Sequence, residues 1–524
     1  MSSNSFPKRA LLIVGTEACE RFSFYGMRSI LTLYIVTVLF KEMNRDVAED
    51  IATQIGHLFN MGVYFMPLLG AWIADKFWGR YWTILVMSLF YCAGNAVLAL
   101  TVGQEWGLGV GLGLIAFGSG GIKPCVSAFM GDQFSKDQTA FLTRAFNMFY
   151  WAINFGSFFA FIAIPPIKDA FGYMWAFALP GIFMGLATLI FLTGTRYYNR
   201  GLGEWMTMSF KRIAGNVFAS AALYGALPGT FFAGLMLLVE QEEIAQFCPL
   251  AGTAPLQFLV LAAGTAFLFV FVIFALAAIF ARGLCAFVKN NVPAEQKDVP
   301  ATQETAAPTS LWERFCAIKG ILLLFAITPV FWALYDQQST TWILLGNEMN
   351  ASDLLGYPIN TETIQGLNPV VVMMLIPIFS FLLYPFLNKT CVFAATPLRR
   401  MTVGMFLTAA SFVICGLLQH TLDAGTQISV WWMALPVVVL TTGEILFSAT
   451  GLEFAYSQAP SYMRSTITSL WQLTTTVGNF FVVIFIALAN DLSNEMRFYF
   501  FAGAMAILAI LFGIVSIFYK YKNE

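Results

Sequence analysis

The sequence predicts an all-α, polytopic membrane protein. Of its 524 residues, 58% are hydrophobic and only 11% are charged, and the mean hydropathy is +0.73. Soluble domains carry about a quarter of their residues as charges, so most of these side chains must face lipid or other buried helices. A spanning helix needs about 20 mainly apolar residues, which leaves room for a dozen or more spans joined by short loops.

Fourteen apolar runs are long enough to span a bilayer, and each predicts one transmembrane helix. In chain order they lie near 10–40, 53–74, 81–102, 107–130, 142–164, 173–194, 216–239, 255–281, 318–346, 366–388, 398–418, 428–456, 465–489 and 498–519. The first run follows Lys8 and Arg9 and continues past the length of a signal peptide. We therefore interpret it as a retained span.

The positions of the basic residues predict which loops are cytoplasmic. Cationic loops resist translocation, so Lys and Arg accumulate on the cytoplasmic side. With the N-terminus inside, 21 of the 28 Lys and Arg residues fall in cytoplasmic segments, three lie within spans, and only Lys41, Arg45, Lys168 and Arg497 lie outside. This distribution predicts an even number of spans with both termini in the cytoplasm.

The middle of the chain separates two sets of six spans. The seventh and eighth spans lack strongly polar residues, and a linker at 287–312 that contains prolines and charges follows them. We predict a six-helix bundle at 1–200, an amphipathic stretch with two inserted helices at 201–286, the cytoplasmic linker, and a second six-helix bundle at 313–524. Many secondary transporters have such a 6 + 6 organisation, with a substrate site between the halves.

Composition excludes several other classes of protein. The formal charge is −1 and no long basic run exists, so we expect no nucleic-acid partner. The eight cysteines are scattered and there are only two histidines, which argues against a disulfide framework and a metal site. No nucleophile–base pair or phosphate loop is evident, so we expect no enzymatic activity and no cofactor.

Eight ionisable side chains lie inside predicted spans, where each costs at least about 2.5–3.5 kcal/mol and marks a candidate functional site. They are Glu17, Glu20, Arg21, Arg28, Lys123, Asp336, Glu444 and Glu453. Five acids against three bases leave a formal charge of −2, which one or two bound protons would relieve. The count therefore predicts proton binding. Glu444 has an alternative interpretation, at an interface or satisfied by the hydroxyls of Thr441 and Thr442.

The first span carries a charged face. Glu17, Glu20, Arg21, Phe24 and Arg28 lie at i, i+3, i+4, i+7 and i+11, so they share one side of a helix. A Glu17–Arg21 pair can neutralise part of this face and leave a guanidinium for an anionic ligand. The alternative is a salt-bridge network that only fixes helix packing.

Six motifs resemble those of the proton-coupled oligopeptide transporter (POT) family of the major facilitator superfamily. EACERFSFYG at 17–26 resembles the ExxERF(x)YYG motif, and the others are GAWIADKFWGRY at 70–81, GSGGIKPC at 118–125, FYWAINFGS at 149–157, FWALYDQQ at 331–338 and GLEFAYSQAP at 451–460. Phe24 stands where the family often has a tyrosine, so one hydroxyl is missing. The six motifs follow one another from residue 17 to residue 460.

The resemblance implies a major facilitator fold, with two six-helix bundles plus the two-helix insertion typical of bacterial members. It implies symport of protons with di- and tripeptides in the inner membrane, with the proton as coupling ion. We expect the protein to function as a monomer. The same architecture could move another small solute, such as nitrate, an amino acid or a drug-like anion. The alternative from a different class is a polytopic membrane enzyme or a lipid-binding scaffold.

A short peptide is a zwitterion, so a site must recognise both of its ends. Arg21, Arg28 and Lys123 can receive the carboxylate, and Glu453 and the amide of Asn368 can receive the ammonium. The resemblance implies the same division between the two halves. Further candidates for the substrate site are one amide and five aromatic side chains, whose rings offer a large apolar contact surface that ends in a polar group. They are Asn154, Tyr25, Tyr64, Tyr150, Trp332 and Trp471.

The candidate proton carriers are Glu17, Glu20, His57 and Asp336. A lone histidine is usually a packing residue, but the spacing of His57 to Pro67 and Gly70 resembles that in animal members of the family, where the histidine is implicated in coupling. We expect Asp336 to pair with Lys123 or Arg28 across the two halves and to release its partner when it is protonated.

Overall fold

The computed structural model is almost entirely helical. It describes residues 6–134, 138–199, 320–322, 324–354, 357–383, 385–386, 396–458, 464–489 and 492–519. Within these residues, ten helical segments are long and apolar enough to cross a membrane. The predicted inserted spans at 216–239 and 255–281 and the linker at 287–312 lie outside the described residues.

Long helices form the first half of the chain. They are α1 (Lys8–Tyr34), α2 (Arg45–Ile73), α3 (Gly79–Leu100), α4 (Glu105–Gly131), α5 (Thr139–Phe171) and α6 (Tyr173–Thr193). The Asn44 side chain caps α2 by accepting a hydrogen bond from the backbone N–H of Asp46 at 2.8 Å. Gly172 makes the tight turn between α5 and α6 at φ +82°, a conformation that favours glycine. All six coincide with predicted runs, although α2 begins earlier because its first two turns are polar.

The second half contains shorter helices and a small hairpin. Its elements are α7 (Thr328–Asp336), α8 (Thr341–Asn347), β1 (Ser352–Leu354), β2 (Tyr357–Ile359), α9 (Thr361–Ile364), α10 (Leu367–Ile378), α11 (Pro397–Asp423), α12 (Ala434–Glu444), α13 (Thr450–Gln458), α14 (Arg464–Leu488) and α15 (Asn494–Phe518). The strands pair antiparallel, with Ser352 opposite Ile359.

The run at 318–346, predicted as one continuous helix, is interrupted. A 3₁₀ turn at Gln337–Ser339 separates α7 from α8. The Ser339 hydroxyl donates to the carbonyl of Asp336 at 3.0 Å, and the Thr340 hydroxyl donates to that of Gln337 at 3.4 Å. Short polar side chains that bond the preceding turn compete with regular helical bonding, which accounts for the break.

Each half has its own apolar core. One core joins buried side chains of α1 to α6, and the other joins side chains of the helices from α7 to α15. Close approach within the first half depends on glycine: a Cβ on Gly70 of α2 would stand 2.3 Å from the carbonyl oxygen of Gly120 on α4. The glycines at 118–121 therefore serve helix packing, as an apolar location predicts.

The two halves meet along several helix pairs. α2 packs along α14, α5 along α10, and α1 contacts α8 and α9. The Tyr357 hydroxyl of β2 donates to the carbonyl of Ile162 on α5, which brings the hairpin onto the first half. We call the side of the molecule that carries residues 352–359 the hairpin end. The charge distribution of the loops predicts that this is the outer side of the membrane.

Candidate functional site

The charged face of α1 forms a compact ion cluster. The Arg21 Nε lies 2.8 Å from Glu17 Oε1 and 2.6 Å from Glu20 Oε2. All three side chains are buried, and Glu20 is completely inaccessible. Two carboxylates thus share one guanidinium, which leaves a net charge of −1 in a low-dielectric setting. One bound proton would neutralise the cluster.

Lys123 of α4 lies against aromatic rings. Its Nζ is 4.4 Å from the centroid of Phe24 and 4.6 Å from that of Tyr64. Among the ion pairs of the described residues, no carboxylate comes within 4.0 Å of this ammonium. The predicted Lys123–Asp336 pair is therefore not present.

Asp336 instead pairs with Arg28, the other cation predicted for it. The Arg28 Nη2 donates to Asp336 Oδ1 at 2.8 Å, and its Nε donates to the Ser339 hydroxyl at 2.9 Å. The Thr32 hydroxyl adds a bond to the carbonyl of Ser339 at 2.7 Å. Because α1 belongs to the first half and α7 to the second, these bonds join the halves.

His57 belongs to the same network through Asn479 of α14, a residue that sequence reasoning missed. The Asn479 Nδ2 donates to Asp336 Oδ2 at 2.7 Å, so its Oδ1 is directed to the His57 Nδ1, also 2.7 Å away. An amide oxygen only accepts, and the proton is therefore on Nδ1. The Nε2 lies 3.0 Å from the Thr340 hydroxyl. The only sequence signal was an amide inside an apolar span.

The acid beside Asn368 is Glu444 and not Glu453, which was predicted to receive the substrate ammonium together with Asn368. Asn368 Nδ2 donates to Glu444 Oε2 and to the Thr441 hydroxyl, each at 3.0 Å. Glu453 is exposed on α13. A π-helical segment at Ile445–Ala449 lies between the two acids and changes the helical phase, which sequence spacing alone does not reveal.

The remaining candidates divide between open and packed positions. Tyr150 is 42% exposed, and Asn154 Nδ2 donates to its carbonyl at 3.0 Å. The Tyr25 ring packs 5.8 Å from Phe161. Trp332 and Trp471, predicted as substrate-site residues, are buried in the core of the second half with ring centroids 6.1 Å apart.

Comparison with known proteins gives the family. The sequence model of the POT family matches residues 81–227 and 311–503. "Peptide transporter family 2" of Caenorhabditis elegans is 32% identical over 427 residues, covering 79% of this chain and 47% of that protein. "Solute carrier family 15 member 2" of Rattus norvegicus is 31% identical over 472 residues, covering 86% of this chain and 54% of that protein. The chain thus spans about half the length of these curated relatives.

Solved structures match over nearly the whole chain. An auto-inhibited POT family peptide transporter is 35% identical with a TM-score of 0.76, covering 99% of this chain and 98% of that chain. The POT family transporter PepTSo is 36% identical with a TM-score of 0.75, covering 98% of each chain. These matches confirm the predicted all-α major facilitator fold, while the count of fourteen helices includes spans outside the described residues. The chain belongs to the POT family.

Proposed function

We propose that this protein takes up di- and tripeptides by symport with protons, in the inner membrane of a bacterium and with both termini in the cytoplasm. Two kinds of support exist: relatives named as peptide transporters, and a site with opposite charges on its two halves. The protein acts as a transporter without enzymatic chemistry, and its coupling ion is the proton. It works by alternating access as a monomer.

The observation that carries the proposal is the division of charge between the halves. Arg21 and Lys123 come from the first half, and Glu444, held by Asn368, comes from the second. A dipeptide separates its carboxylate and ammonium by no more than about 7 Å, and a tripeptide by about 10 Å. The carboxylate binds the cations, the ammonium binds Glu444, and the peptide draws the halves together. A purely anionic substrate such as nitrate would leave Glu444 without a ligand.

Proton coupling acts through acids that hold the two arginines. Protonation of Asp336 removes the charge that binds Arg28 and weakens the contact between α1 and α7. Protonation of Glu17 or Glu20 likewise removes a negative charge that binds the Arg21 guanidinium. His57 contributes through Asn479 to the charge state of Asp336. Each protonation step thus changes either the inter-half contact or the charge offered to the peptide.

Uptake of dialanine by proteoliposomes tests the proposal. We expect accumulation under an imposed inward proton gradient and none when the gradient is collapsed. In Glu20→Gln, gradient-driven accumulation is lost while exchange at equal peptide concentrations continues, because the variant still binds peptide but cannot carry the proton. Absence of saturable dialanine transport in the unmodified protein under either condition would reject the proposed substrate class.

A further inference from the structure

Two rings from different helices face the same ammonium. Phe24 lies on α1 and Tyr64 on α2, and the Nζ of Lys123 on α4 lies 4.4 Å and 4.6 Å from their centroids. A cation within about 6 Å of a ring centroid is attracted by the negative face of the π-system. We call Phe24 and Tyr64 the aromatic pair. Their geometry gives Lys123 an electrostatic partner that is not an acid.

Packing holds the Phe24 ring in position. Phe24 is 2% exposed. It stacks on Phe59 at 6.2 Å and meets Tyr25 edge to face at 5.4 Å. These contacts on two sides restrict rotation of the ring and hold its face toward Lys123.

The acids near this lysine are engaged elsewhere. Arg21 holds both Glu17 and Glu20, and Arg28 holds Asp336. The charges that act on Lys123 include those of the acids Glu17, Glu20 and Asp336 and of the cations Arg21 and Arg28. Direct pairing with a carboxylate of the protein would occupy the ammonium, whereas the rings stabilise its charge and leave its N–H groups free for an anion.

We propose that Phe24 and Tyr64 are positioning residues that hold the ammonium of Lys123 ready for the carboxylate of the substrate. The proposal rests on the peptide transport proposed above. It gives Phe24 a function that needs the face of the ring and no hydroxyl, so a tyrosine at this position serves equally well. Weaker attraction by the rings leaves the charge of Lys123 less stabilised, so the lysine binds the carboxylate of the substrate less well.

Fluorinated phenylalanines at position 24, introduced by stop-codon suppression, test the ring face with almost no change in shape. Each added fluorine weakens the negative face. We expect the KM for dialanine uptake to rise stepwise, reaching about tenfold with three fluorines, while kcat changes little. Phe24→Tyr should keep KM within about twofold. The same series at Phe59, which stacks on Phe24 but not on Lys123, should leave KM unchanged.

A second readout needs no substrate. Reductive methylation of Lys123 in the purified full chain, followed by mass spectrometry at fixed pH, reports how readily the ammonium loses its proton. We expect faster methylation with each fluorine at position 24 and no trend at position 59. If the unmodified protein fails to transport dialanine, the proposed function fails, and the methylation series still decides whether the rings hold Lys123.

Flat KM values across the position 24 series would overturn the positioning role, even with a clear methylation trend. Flat methylation rates would overturn the attraction itself. An equal KM rise in the two series would attribute the effect to general packing, and would also overturn the proposal.

Discussion

At the scale of single residues, one chain of buried polar groups links the two halves through hydrogen bonds. Asp336 binds Arg28 with one oxygen and Asn479 with the other, and Asn479 binds His57 with its remaining group. A buried group that loses its partner costs about 1–3 kcal/mol. Loss of Asn479, the middle member of this chain of hydrogen bonds, would therefore leave two buried groups without a partner. No charge or motif identifies Asn479 in the sequence.

Asn479→Leu should destabilise the protein by several kcal/mol, because it leaves both Asp336 Oδ2 and His57 Nδ1 without a partner. Thermal unfolding and gradient-driven dialanine uptake measure the effect, and we expect a lower Tm with at least a tenfold loss of uptake. Asn60→Leu is the matched control, since the buried Asn60 amide has no hydrogen-bond partner among the described residues. Equal losses in both variants would contradict this account.

At the scale of elements, apolar runs predict helices but not their interruptions. The bounds of the runs at 81–102 and 498–519 lie within a few residues of those of α3 and α15. The reason is that the length of an apolar run reflects the thickness of the hydrocarbon core that a helix must span. The break after Asp336 and the π-helical segment at Ile445–Ala449 depend on local hydrogen bonds that leave hydropathy unchanged. The sequence favours Glu453 because it stands in the motif at 451–460, whereas the structure places Glu444 beside Asn368.

Ion pairs between elements of the two halves should hold the hairpin end closed. Lys168 on α5 binds both oxygens of Glu362 on α9, at 2.7 Å and 2.5 Å, and Glu362 is 1% exposed. Breaking a buried pair costs about 3–5 kcal/mol, since one charge stays buried without its partner. Glu362→Gln should therefore shift the population toward separation at this end.

Double electron–electron resonance measures that separation as the distance between two spin labels. The labels are placed at Met43 and Leu354, two exposed positions, in a variant without native cysteines. We expect a longer distance component in Glu362→Gln. Glu42→Gln is the control, because the Lys41–Glu42 pair is 64% and 87% exposed and an exposed pair contributes about 0–1 kcal/mol. An unchanged distribution in Glu362→Gln would show that Lys168–Glu362 does not hold the halves together.

At the scale of the whole molecule, the sequence predicted the architecture because lipid imposes it and because the POT motifs are specific. Which cation binds Asp336 depends on the approach of α1 to α7, so the sequence alone does not decide between Lys123 and Arg28. Among the residues that the structure describes, three ion pairs join the halves: Arg28–Asp336, Lys168–Glu362 and Arg497–Asp50. Of the three, only Arg28–Asp336 is linked to His57, through Asn479, so we select this pair for a test of proton coupling.

Asp336→Asn should separate peptide movement from proton movement. The amide has the shape of the carboxyl group but carries no charge that could bind Arg28, so the variant resembles the protonated state permanently. We expect dialanine exchange to continue and gradient-driven accumulation to fall at least tenfold in proteoliposomes. Asp50→Asn, which removes the carboxylate that binds Arg497 away from His57, should keep accumulation coupled to the gradient. Accumulation by Asp336→Asn at the level of the unmodified protein would exclude Asp336 from the coupling step and leave the Glu17–Glu20 pair to carry it.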